Sequence, residues 1–124
     1  MPVTLDEILT LIDAIVEAGG ERSAKLKKAT EKLRLISHSS QAPIPMIGVT
    51  GALNALGRTD KVMEHKMATV RERVNHIKKQ VTDKTSKPDF APLKIALRAQ
   101  LEVVKLANKQ ADGLLKQIDL IAKQ

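Results

Sequence analysis

Three histidines, His38, His65 and His76, and the fourteen Asp and Glu residues are the side chains of this sequence best suited to moving protons or holding a metal ion. There is no cysteine. Thiolate nucleophiles, disulfide frameworks, zinc ribbons and iron–sulfur ligation are therefore excluded. His65 and His76 stand eleven residues apart, which along one helix is about 16 Å and too far for one ion. Glu72 and His76, four apart, share a helix face, but two surface ligands read as solvated side chains rather than a metal centre. The acidic residues are interleaved with Lys and Arg instead of converging as acid–base catalysis requires. Gly48, Gly51 and Gly57 are not followed by the Gly-Lys-Ser/Thr ending of a phosphate loop. The reading is no catalytic residue, no metal site, no cofactor and no enzyme.

The basic residues make a stronger pattern. Lys25, Lys27, Lys28, Lys32 and Arg34 crowd one segment, and Arg71, Arg73, Lys78 and Lys79 crowd another, with Lys84 and Lys87 beyond. Facing one way, the two clusters would form a phosphate-binding stripe. No helix-turn-helix, homeodomain or basic-zipper pattern accompanies them. The chain also lacks Trp and Tyr and has Phe90 as its single aromatic residue, so it lacks the stacking platforms of single-strand binders.

Formal charge is +7, from 21 basic and 14 acidic residues. It is unevenly placed. Residues 1–20 carry −4, residues 21–37 carry +4, residues 38–57 carry none, residues 58–87 carry +5 and residues 88–124 carry +2. An acidic first element on a basic body favours attraction between these regions or toward an acidic partner. No stretch approaches the roughly 20 apolar residues that span a bilayer. The opening MPVTLDEILT lacks the basic start of a signal peptide. These features set the expectation of a cytoplasmic location.

At 124 residues the chain is one domain's worth of sequence. A core of Leu, Ile, Val, Ala and Met suggests helices packed on helices. Thr4, Leu5, Asp6 and Glu7 have the order of a capping box, and Asp6 and Glu7 suit the positive end of a helix dipole. Leu5, Ile8, Leu9, Ile12, Ile15 and Val16 follow at helical spacing, and Gly19-Gly20 reads as a stop. That predicts a first helix over about 4–18. A second, over about 21–36, carries Leu26, Ala29, Leu33 and Ile36. Met63, Met67, Val70, Val74, Ile77 and Val81 recur at 4-3-4-3-4 spacing, a heptad seam that predicts a third helix over about 60–84. Asp89 and Pro92 suit the start of a fourth, over about 90–123.

Residues 37–58 read as a connector. Pro43 and Pro45 break any helix, and no charged side chain occurs from Ala42 to Gly57. A short helix over 50–56 is compatible with it. Such an apolar segment is either tucked under the bundle, a partner-contacting tip or a membrane-touching tip.

The expectation is an all-α domain over 1–124. Its architecture is an antiparallel four-helix bundle-like arrangement with a Pro/Gly-containing apolar connector between helices two and three. Its expected role is a non-enzymatic helical protein-interaction module, an adaptor, chaperone or assembly component. Contact with a protein partner or a second copy would run through Ile44, Met46, Ile47, Val49, Leu53, Leu56, Met63, Met67 and Val70. The alternatives are binding of nucleic-acid backbone through the basic clusters, and membrane association through the 42–57 tip.

Overall fold

The four opening residues form the predicted cap. The Thr4 backbone N–H donates to Glu7 Oε2 at 2.8 Å, and the Glu7 N–H donates to Thr4 Oγ1 at 3.3 Å. Two N–H groups that have no partner within the helix are thereby satisfied. The computed structural model describes residues 2–39, 46–83 and 87–123. Among these described residues there are three helices: α1 (Leu5–Ser39), α2 (Ile47–Asp83) and α3 (Ala91–Ala122). No strand occurs among the described residues.

The expected helices one and two are a single rod. Gly19 and Gly20 both lie inside α1 with right-handed backbone angles, not at a corner. Each interior glycine costs a helix about 1 kcal/mol relative to alanine. Contacts beyond them offset that cost. Running straight on, α1 brings Lys25 to Asp112 at 3.0 Å and Lys32 to Asp119 at 2.8 Å, and it seats Ala29 in the core. A hairpin at Gly19-Gly20 would carry all three away from α3.

The expected connector over 37–58 is also mostly helix. Residues 37–39 end α1, and 47–58 form the first three turns of α2. Pro43 and Pro45 fall outside the described residues. They precede the helix, and a proline obstructs the turn before it rather than the turns after it. Val49, Ala52 and Leu56 recur at 3-4 spacing, which turns them together onto α3. The last helix matches its expectation closely. Asp89 Oδ1 accepts the Ala91 N–H at 3.1 Å, and Pro92 sits in the first turn, where a missing N–H costs nothing.

The chain runs up, down and up. Glu7 pairs with Lys94, Glu21 with Asn108, Lys25 with Asp112 and Lys32 with Asp119. All four pairs are 87 residues apart, so α1 and α3 are parallel and in constant register. α2 runs the other way, since Thr59 bonds Gln110 while Gln80 accepts from the Asp89 N–H. α3 is the central rod, with Leu93, Ala96, Leu97, Gln100, Val104, Ala107, Ala111, Leu114 and Ile118 buried.

Apolar packing concentrates at the two ends. At one, Ile8, Val70, Leu93, Ala96 and Leu97 cluster. At the other, Ala29, Val49, Leu56, Leu114 and Ile118 do so. Between them lies a polar belt. The Arg22 guanidinium pairs with Asp60 across α1 and α2, and the buried Thr59 hydroxyl donates to Gln110 Oε1 at 2.6 Å. Small Ala107 and Ala111, fully packed at this level, let the neighbouring rods approach α3.

Two outcomes follow. Replacing Gly19 and Gly20 by Ala raises the thermal midpoint by several degrees, about 1–2 kcal/mol for the pair, because a helical Cβ meets nothing within 4 Å at either position. A drop in a circular dichroism melt would instead place a turn there. Glu7 is held below its ordinary pKa, first by the Thr4 backbone N–H and then by Lys94, and Asp119 is held low by its bond from Lys32. A depressed carboxylate stabilises the fold above its unfolded pKa and loses that contribution as pH falls through the folded value. Both carboxyls should therefore titrate below the ordinary range for their residue types by NMR, and Thr4→Ala should move Glu7 upward while leaving Asp119 in place.

Candidate protein-interaction groove

α1 and α2 both lie on α3, but they do not close on each other. Among the described residues, no Cα of one comes within 8 Å of a Cα of the other. Close-packed helices sit 8–10 Å apart axis to axis and bring their backbones nearer than this. The two are linked instead by the long Arg22 side chain reaching Asp60.

At the end where α1 begins, this splay opens a groove with a volume of about 230 Å³. Its walls are Ile12, Ile15 and Val16 of α1 and Met67, Val70 and Val74 of α2, and its floor is Leu93, Leu97 and Gln100 of α3. No polar surface is exposed inside it. Gln100 presents its carbon stem, while its Oε1 is buried without a hydrogen-bond partner. The α1 wall continues outward as an apolar stripe. Leu5, Leu9, Ile12 and Val16 are all exposed, Val16 by 67%. Their 4-3-4 spacing is that of a packed seam, with water where a facing helix would be.

The heptad seam read from the sequence lies along this groove. Val70 is buried, Met63, Met67 and Ile77 are half-buried, and Val74 and Val81 are exposed. So Met67 and Val70 do line an open apolar surface, while Met63 sits beside it, in a more polar depression with Arg22, Asp60 and Glu64. The residues expected in the connector divide. Val49 and Leu56 are core, completely packed against Leu114 and Ile118, and so are corrected from partner contacts to structural residues. Met46, Ile47 and Leu53 are exposed, Ile47 by 88%. Ile44 lies outside the described residues. The sequence pattern alone does not mark the α1 stripe as a contact surface. Its signal was the repeat of Leu5, Leu9, Ile12 and Val16, which reads equally well as core.

The basic residues do not form one stripe. Lys25 and Lys32 are turned onto α3, paired with Asp112 and Asp119. Lys27, Lys28 and Arg34 are exposed beside them. Arg71, Arg73, Lys78 and Lys79 are exposed on α2 near the opposite end, at the level of Glu7 and Lys94. Centre to centre the two clusters lie roughly 30 Å apart along the bundle at 1.5 Å per residue, and their nearest members, Lys25 and Arg71, about 21 Å. His38, His65 and His76 are all exposed. Among the described residues no three His, Asp or Glu side chains are grouped to hold a metal ion, and no helix is long and apolar enough to cross a membrane.

The division of the connector is measurable. Leu56→Ala should cost about 2–4 kcal/mol by chemical denaturation, because it empties a packed site. Leu53→Ala, on the exposed side of the same turn, should stay within about 0.5 kcal/mol of the parent. Equal costs would contradict the placement of α2. No protein-family model, no curated protein and no solved structure matches this chain.

Proposed function

We propose that this protein is a non-enzymatic helical interaction module that receives an apolar helix face from another chain in the groove between α1 and α2. One observation carries the reading. Above a buried floor of Leu93, Leu97 and Gln100, the two walls leave Ile12, Val16 and Val74 exposed and Ile15 and Met67 half-exposed where a fourth helix would pack. Contiguous apolar surface of this kind marks contact sites in soluble proteins. A helix laid into such a groove uses anchors at i, i+3, i+4 and i+7 spacing. Covering a half-exposed Leu, Ile or Val contributes on the order of 1 kcal/mol each. Met67 adds an adaptable wall, since a thioether chain re-packs around differing partners. The role is that of an adaptor, chaperone or assembly component.

Photo-crosslinking from within the groove tests it. A photoreactive amino acid at Val16 should give discrete adducts with another polypeptide in the expressing cell. The same group at Ile95 or Leu106, exposed on α3, should give none. Identical patterns at Val16 and the two controls would overturn the reading.

A further inference from the structure

We propose that the chain filling the groove is a second copy of this same protein, related by a two-fold axis parallel to the helices. The proposal rests on the interaction reading above and names its partner. It is carried by the charges on the two rims of the groove.

On α1, Asp6, Leu9, Asp13 and Val16 follow one another at three- and four-residue steps and so form a single stripe. On α2, Met67, Arg71, Val74 and Lys78 do the same. One rim is therefore apolar with two carboxylates, and the other is apolar with two cations. All four charged residues are exposed, and none has an ion-pair partner among the described residues.

Their heights along the bundle also match. Arg22 is paired with Asp60, and α1 and α2 run in opposite directions, so a step back in α1 is a step forward in α2. Nine residues back from Arg22 is Asp13, and nine residues on from Asp60 is Thr69, two short of Arg71. Sixteen back is Asp6, and sixteen on is His76, two short of Lys78. Each carboxylate thus stands within about 3 Å of the height of one cation. Within one molecule the groove keeps them apart.

Rotation about an axis along the bundle changes no residue's height. It sets α1 of each copy over α2 of the other. Asp13 then faces Arg71 of the second copy and Asp6 faces its Lys78. Leu9, Ile12 and Val16 meet Met67 and Val74 of the second copy. The contact is made twice by symmetry, which is the self-complementarity a two-fold interface requires. The four facing rods, α1 and α2 from each copy, complete the four-helix core that one chain lacks. A two-fold axis across the helices would instead lay α1 on α1 and bring the carboxylates of both copies onto one seam, which like-charge repulsion disfavours. Farther along the α2 rim Glu64 stands level with Ala18, beside Glu17, and no pairing is assigned there.

Sedimentation equilibrium of the purified full chain, read by interference optics because the sequence has no Trp or Tyr, tests the arrangement. The parent should sediment at twice its 13.6 kDa. Reversing one rim, by Asp6→Lys with Asp13→Lys or by Arg71→Glu with Lys78→Glu, should weaken association by at least about tenfold with helicity unchanged. Combining both reversals in one chain should restore it. A parent of single-chain mass at every concentration would overturn the second copy, and so would a doubly reversed chain no tighter than the singly reversed ones. A single-chain mass with a discrete Val16 adduct on a different protein would overturn this proposal and leave the interaction reading standing.

Discussion

Everything distinctive in this fold depends on α1 passing straight through Gly19-Gly20. An unbroken α1 is long enough to lie parallel to α3 along almost its whole length, and four polar pairs, each 87 residues apart, hold that register. Three long rods then replace four shorter ones. α3 supplies an apolar face broad enough for two neighbours, but those two neighbours are too far apart to cover each other. A four-rod bundle closes on itself, whereas a three-rod bundle with these faces leaves one side open.

The open side is not uniform. Where α1 ends and α2 begins, Leu26, Leu33 and Ile36 fold over Leu114, Leu115 and Ile121, and Val49 and Leu56 fill the remaining space. That end is closed by packing. At the other end Ile8 and Leu11 reach the core, but Leu9 and Val16 on the same helix do not. The charge pattern follows the same division. The basic residues of the α1 C-terminal half are partly neutralised against α3 by Asp112 and Asp119. Asp6 and Asp13 on α1, and Arg71 and Lys78 on α2, are exposed at three- or four-residue steps from Val16 and from Met67 and Val74, and have no ion-pair partner among the described residues. Segregation of charge along the sequence thus becomes, in space, opposite signs on facing rims.

Much of this was legible in the sequence. The Thr4–Glu7 cap, the span of α3 and the all-helical class came from local chemistry and periodicity, and the structure shows each of them; of the seam from Met63 to Val81 it shows the helix, with Val70 buried and Val74 and Val81 exposed. Two local signals misled. Gly19-Gly20 has the chemistry of a stop, and only distant partners such as Asp112 and Asp119 make a straight helix worth its cost. The 42–57 segment has turn-forming residues and no charge, yet most of its length is helix, because Val49 and Leu56 are completed by Leu114 and Ile118 more than fifty residues away. The groove was hidden for a related reason. An apolar stripe has the same pattern whether it meets its own chain, another chain or water, and the difference depends on how many rods there are.

The continuity of α1 is therefore the claim to measure first. The chain has no native cysteine, so spin labels at Thr10→Cys and Thr30→Cys, both exposed sites, report a single intramolecular distance. With the labelled chain diluted into excess unlabelled chain, so that only intramolecular pairs contribute, a straight helix places these backbone positions about 30 Å apart by pulsed dipolar spectroscopy. A distance near 10 Å, that of neighbouring helices in a hairpin, would contradict the account, and the groove would go with it.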